Sequence, residues 1–219
     1  MTATKTRPAP TRRVRGSLGL YVLFALVAGV IAGGLSLAFN MDSRTTLGIP
    51  DPGIMTTVGF PLAKASGEIL AALAVGSFML SAFGSKARPD GTLSLDGYAA
   101  ANTGRWALTS WGLIALLQIP MVLSDVSGQP LSVTLQPSNW SVALEQVSEA
   151  LAWFWVAVFA LVGAIGASLT RKWIWQAVFF ALSLITMMPL AVVSHNATGG
   201  SHDYGTNSYI WHLTFTVFW

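Results

Sequence analysis

Cysteine is absent from this chain. Its absence excludes disulfides, thiolate metal sites, Cys-x-x-Cys redox chemistry and a cysteine nucleophile. Any metal would have to be held by His, Met, Asp, Glu or backbone. Charge is scarce too. Only 10% of residues are Asp, Glu, Lys or Arg, against about a quarter in an ordinary soluble domain. The net charge of +3 comes from basic residues dispersed among short polar segments, so no basic patch points to nucleic acid. There are three histidines, and all fall between His195 and His212. Ser201, His202 and Asp203 are consecutive, a spacing that does not make a catalytic triad. No other hydrolase or transferase constellation is present, and the expectation is a protein that is not an enzyme.

What fills the chain is apolar sequence. Hydrophobic residues make up 53%, and they come in blocks of about the 20 residues that a membrane helix needs. The blocks cover residues 17–39, 59–83, 105–124, 149–169 and 173–194. A further apolar run after the last histidine stops at Trp219, about a dozen residues in and short of a span. The reading is all-α: a polytopic transmembrane helix bundle with five full spans and a truncated sixth, in a chain expected to continue past Trp219. Residues 1–16, with Lys5, Arg7, Arg12, Arg13 and Arg15 broken by Pro8 and Pro10, read as a disordered basic tail. Residues 17–219 form the membrane domain. The first apolar run is long and lacks a small-residue cleavage site, so it reads as a retained helix rather than a cleaved signal.

Lys and Arg cluster in alternate polar segments: the N-terminal tail, the stretch from Lys86 to Arg105, and the turn Arg171-Lys172. The other polar segments carry only Arg44. Cytoplasmic segments are the basic ones, so the N-terminus is expected in the cytoplasm of a plasma-membrane protein. The loop 195–207 is then extracytoplasmic. Tryptophans near the predicted interfaces agree. Within the spans, Gly29 and Gly33 form a GxxxG approach surface, and Pro120 is expected to kink its helix. Lys64 and Glu68, four apart, share a face. Two readings stay open for them: mutual neutralisation, or a water-lined transport path.

Under this orientation Met121, Met187, Met188 and all three histidines fall outside or in the outer half of the membrane. His195, His202, Asp203 and His212 would form a mouth above a shelf of methionines. Thioether with imidazole suits Cu(I), and imidazole with carboxylate suits Cu(II) or zinc. Any one of these methionines is an ordinary core residue by itself, and His212 could serve as an interhelical hydrogen-bonding group. The clustering of every histidine is what favours metal. Haem fits less well, because it needs axial histidines from facing helices and only His212 lies clearly within a span.

The run Ser194-His-Asn-Ala-Thr-Gly-Gly-Ser-His-Asp-Tyr-Gly-Thr-Asn-Ser-Tyr-Ile-Trp-His212, together with the Gly59-Phe-Pro-Leu start of the second span, resembles the copper resistance D (CopD) family. More closely, it is similar to the N-terminal membrane half of actinobacterial proteins that fuse a CopD-like domain to a CtaG-like cytochrome c oxidase assembly domain. The resemblance implies a plasma-membrane protein that moves copper or supplies it to oxidase assembly. The lipid bilayer would be its environment, and cytochrome c oxidase or its assembly factors would be partners, with an oligomer open. By the same resemblance His195, His202, Asp203 and His212 are candidate copper ligands. A non-catalytic subunit or assembly partner of a respiratory complex is the alternative.

Overall fold

The computed structural model describes residues 18–48, 50–193 and 202–218. The tail 1–16 and the loop residues 194–201, including His195, lie outside the described residues. The described chain is helical and contains no strand, only the isolated bridges Ala87–Leu93 and Thr92–Lys172. In order the helices are α1 (Leu18–Leu47), α2 (Ile54–Met79, running into a π turn at Leu80–Gly84), α3 (Leu95–Ser127), α4 (Leu131–Thr134), α5 (Pro137–Gln146), α6 (Ser148–Leu169), α7 (Ile174–Ile185), α8 (Met188–Val192) and α9 (His202–Phe218).

Four of these segments are long and apolar enough to cross a membrane: Ile54–Gly84, Leu95–Ser127, Ser148–Leu169 and Ile174–Val192. Alpha-1 adds a shorter apolar stretch, Leu26–Phe39. Outward-facing Val30, Phe39, Phe83, Leu113, Val162, Ile165, Trp175 and Phe215 are exposed. In water such a surface would drive association, whereas in a bilayer it is the lipid face. The protein is a multi-pass membrane protein.

Several helices outrun the apolar blocks, because backbone hydrogen bonds and caps set helix ends, not hydropathy. The third span begins at Leu95 rather than 105. Ser94 Oγ there accepts the Gly97 N–H at 3.2 Å, and Asp96 sits in the first turn, where it favours the helix dipole. The helix continues through Pro120 and ends at Gly128, whose φ of 68° needs a glycine. The expected fifth span is divided. Pro189 has no N–H to give the Ile185 carbonyl four residues back, and its ring crowds that turn. Alpha-7 accordingly stops at Ile185, Thr186 and Met187 form a turn, and α8 starts at Met188. The polar segment after α3, read as loop, holds α4 and α5.

Another correction concerns the loop 195–207. Its second part, from His202, is the start of α9. Gly205, Thr206, Asn207 and Ser208 are weak helix formers. Alpha-9 nevertheless packs on α2 and α8, and such packing supplies most helix stability in proteins.

The core lies among α2, α3, α6 and α7, around Phe78, Leu108, Trp111, Ile119, Trp153, Val156 and Phe179. Glycines bring these helices close. A Cβ on Gly104 would meet the Phe78 ring at 2.9 Å, and one on Gly112 would meet Leu161 at 2.8 Å. The two ends of the bundle differ. One end carries Lys86, Arg88, Arg105, Arg171 and Lys172, and the turn between α6 and α7 is tied to the α2–α3 connection there. Leu93 donates its N–H to the Arg171 carbonyl at 2.9 Å, and Trp173 donates to Gly91 at 3.0 Å. At the opposite end, Ser124 Oγ donates to the Gln129 carbonyl at 2.6 Å. Its one proton is thereby spent, so Thr56 Oγ1 is the donor in their 2.6 Å contact.

Candidate functional site

At this second end α8 finishes and α9 begins. Beneath that junction, α2, α3, α6, the α7–α8 turn and α9 enclose a cavity of about 340 Å³. Lys64 and Glu68 reach it from α2, Trp111 from α3, Glu149 and Trp153 from α6, Met187 and Leu190 from the turn and α8, and Tyr209 and Leu213 from α9. Glu68 lies near the midpoint of the Ile54–Gly84 helix, roughly 20 Å from its first residue. This is therefore an ionisable group at membrane depth. Such groups are costly and face a protein interior or a water-filled space.

Lys64 Nζ lies 3.4 Å from Glu149 Oε1 and 5.7 Å from the Phe60 ring centroid. Lys64 thus bridges α2 to α6 instead of pairing only along its own helix with Glu68. Glu149 stands in the first turn of α6, where a carboxylate gains from the helix dipole. The bridge is half open, with side-chain exposures of 46% and 37%. Trp153 is only 1% exposed, and its indole N–H has no partner among the described residues.

The residues picked from sequence are distributed unevenly about this cavity. Met187 lines it and is buried. Met188 opens α8 half-buried and is outside the lining. Met121 is buried in α3 with its Cε 3.0 Å from where a Cβ on Gly59 would stand, which places it in the α2–α3 packing. His212 is exposed on α9, its ring stacked against Tyr209 with centroids 6.3 Å apart. Tyr209 in turn lines the cavity. His202 and Asp203 are the first two residues of α9, and their side chains lie outside the described set. Ten residues of helix separate His202 from His212, roughly 15 Å of rise. That is too far for both to bind one ion from a single α9. Among the described residues no group of three or more His, Asp and Glu is placed to hold a metal.

The sequence reading noted Lys64 and Glu68 but missed Glu149 as the partner of Lys64. No spacing signal could have found it, because the two are 85 residues apart. What the arrangement offers chemically is a mostly apolar cavity with a small charged group on its wall. It holds two carboxylates, one ammonium, one thioether and the faces of three aromatic rings.

The comparisons with known proteins cover this region. The family described as copper resistance protein D-like, N-terminal domain, matches residues 55–203, more than half of the chain, including α2 through α8. An uncharacterized protein of Mycobacterium bovis is 26% identical over 223 aligned residues, covering 95% of this chain and 32% of its own length. An uncharacterized protein of Mycobacterium tuberculosis has the same identity and coverage. The chain thus spans about a third of the length of the curated relatives it matches. No solved structure matches it.

Proposed function

The chain belongs to the copper resistance protein D-like family, and on that premise we propose that it moves copper across the plasma membrane. The basic end, with Lys86, Arg88, Arg105, Arg171 and Lys172, faces the cytoplasm. Alpha-1 serves as a further span and α9 as the start of a sixth. The end where α8 and α9 meet is then extracytoplasmic. His195, His202 and Asp203 capture the ion there, and His212 with Met187 and Met188 stands below them. The observation that carries this reading is the cavity under α9, which reaches membrane depth with two carboxylates, one ammonium and one thioether on an otherwise apolar wall. Copper is cargo in this scheme, and the chain's task is to exchange its water for imidazole, carboxylate and thioether groups.

Supply of copper to cytochrome c oxidase assembly is the other outcome of the same handling. A purely structural role as a docking subunit rested on small-residue helix faces. On α1, Gly29 abuts Leu62 and Gly33 abuts Val58, both on α2, while Gly34 stays exposed with nothing within 4 Å. The test is copper content and uptake by the chain in proteoliposomes, wild type against the triple variant His195→Ala, His202→Ala, His212→Ala. The variant should lose bound copper and take it up at least about tenfold more slowly. Unchanged stoichiometry and uptake would sink the proposal. Copper bound without uptake, and handed on to an added apo-oxidase subunit, would favour supply. A Soret band in the purified chain would favour haem.

A further inference from the structure

We infer that the cleft between the first half of α3 and the end of α6 binds one phosphate group at the membrane edge, held by the guanidiniums of Arg105 and Arg171. The inference is independent of the copper reading and concerns the opposite, basic end of the bundle.

Local structure assembles the cleft. Tyr98, Asn102 and Arg105 follow one another at four and three residues, so they share a face of α3. That face meets Ser168 and Thr170 at the close of α6. Arg171 comes next and is pinned by backbone bonds. Its carbonyl accepts the Leu93 N–H at 2.9 Å, and Trp173 donates to Gly91 at 3.0 Å. Ala101 and Ala167 also line the cleft, and side chains this short leave space between the helices. The space is about 60 Å³, roughly two waters by volume. It admits one small oxyanion, with the rest of any larger molecule outside.

Donor chemistry sets the ligand. Arg105 Nη2 donates to Asn102 Oδ1 at 2.8 Å, which anchors the guanidinium with most of its five N–H groups unspent. Its guanidinium lies 4.8 Å from the Trp106 ring centroid, and that of Arg171 lies 5.1 Å from the Tyr98 centroid. Stacking uses the flat face of a guanidinium and leaves its N–H edge for an oxyanion. Asn102 keeps its two amide hydrogens, since only its oxygen is bonded among the described residues. Thr170 Oγ1 accepts the Lys172 N–H at 3.2 Å, so its own proton is available too. Ser168 is not a donor here, because its proton goes to the Ile165 carbonyl at 2.6 Å.

Charge agrees. The end of α6 adds about half a negative charge, against two full positive ones on the wall. No Asp or Glu lines the cleft, and residues 1–17, outside the described set, contain none. Positive-inside topology accounts for basic residues at this end. It does not account for two guanidiniums sharing one cleft with an amide and a hydroxyl. Depth brings the cleft to the headgroups: Arg105 opens the apolar part of α3, beside the exposed Trp106, a residue type that marks the interface. Basic pockets between helices on the cytoplasmic side suit anionic headgroups, and free phosphate offers the same chemistry.

The experiment uses the full chain and separates the two sources. Lipid retention is measured by native mass spectrometry on release from nanodiscs of phosphatidylglycerol and phosphatidylcholine in equal parts. Phosphatidylcholine carries the same phosphate beside a cation that the guanidiniums repel. In a second arm, inorganic phosphate is titrated calorimetrically onto the chain in phosphatidylcholine nanodiscs. Preferential retention of one phosphatidylglycerol assigns a lipid headgroup. Phosphate binding without that preference assigns a free anion. Wild type showing neither overturns the inference, with no variant involved. Arg105→Gln with Arg171→Gln should weaken the binding at least about tenfold more than Lys86→Gln with Arg88→Gln. The second pair removes the same charge from the same end, outside the cleft wall. Equal losses from the two pairs would reduce the effect to general surface charge and overturn the site as assigned.

Discussion

The approach of α2 to α3 positions the wall of the chamber, and it can be tested at two glycines with opposite expected signs. Gly104 on α3 faces Phe78 on α2. A Cβ there would stand 2.9, 3.0 and 3.1 Å from the ring carbons Cε2, Cδ2 and Cζ, whereas comfortable carbon contacts are about 3.5–4.0 Å. The ring or the helix would have to yield by roughly 0.5–1 Å. Phe78 is fully buried and its ring centroid lies 5.7 Å from that of Phe179, so the ring has nowhere to swing. Overpacking of this kind costs about 1–3 kcal/mol. Replacing a helical glycine by alanine returns about 0.5–1 kcal/mol. The net expectation for Gly104→Ala is a loss of about 1–2 kcal/mol, or about 2–8 °C in Tm for a chain of this size. Gly76 in α2 is the control, since a Cβ there meets nothing within 4 Å. Gly76→Ala should stabilise by about 0.5–1 kcal/mol. The assay is SDS titration in detergent micelles followed by tryptophan fluorescence. If both variants move the midpoint in the same direction, or Gly104→Ala is the more stable, the packing argument is wrong.

Other expectations follow from single side chains. A double-mutant cycle with Lys64→Met and Glu149→Gln should give a coupling of about 0.2–1 kcal/mol, because the pair is half open; a coupling above about 3 kcal/mol would mean a bridge sealed from water. Gln118 is fully buried, and neither of its amide atoms has a partner among the described residues. Gln118→Leu should therefore be neutral or stabilising in the same titration, since it removes an unpaired group that costs about 1–3 kcal/mol, and a clear loss of stability would show that the amide is bonded. The Thr92 hydroxyl and backbone N–H, at 2.7 and 3.0 Å, hold the Asp90 carboxyl below its usual range. Its folded value is depressed, so the contribution is present above the unfolded value and is lost as pH falls through the folded one. Thr92→Val should move the Asp90 carboxyl resonance midpoint upward in an NMR titration, and an unmoved midpoint would refute the hydroxyl's role.

Four of the expected spans were legible because a bilayer imposes one strong rule, that apolar stretches must be long. Their ends were not. Hydropathy marks where lipid begins, but Ser94 and Gly128 decide where α3 begins and ends, and α3 runs well past its apolar block. The division of the fifth span was written in Pro189, yet its place shows only when the four-residue hydrogen bond is traced back to Ile185, where α7 stops. The start of α9 was hidden for a different reason. Its first turns are made of residues that favour turns in isolation, and contacts with α2 and α8 override that preference.

The candidate site divides along the same line between local and distant information. Histidines close in sequence suggested one mouth, but the helix at His202 sets His202 and His212 roughly 15 Å apart, so clustering along the chain is not clustering in space. The chamber shows the converse. Lys64 and Glu149 are far apart in sequence, and Met187 belongs to a turn created by a proline two residues later. Only the packing of α2, α6 and the α7–α8 turn around one cavity brings them to one wall. Composition did carry a trace of this. In a chain with only nine acidic residues, a glutamate at the midpoint of a span is expensive enough to require a reason. Lys64 alone does not provide it, because Lys64 is already bonded to Glu149. The wall that Glu68 shares with Lys64 and Glu149 supplies that reason, because an ionisable group at membrane depth faces a protein interior or a water-filled space.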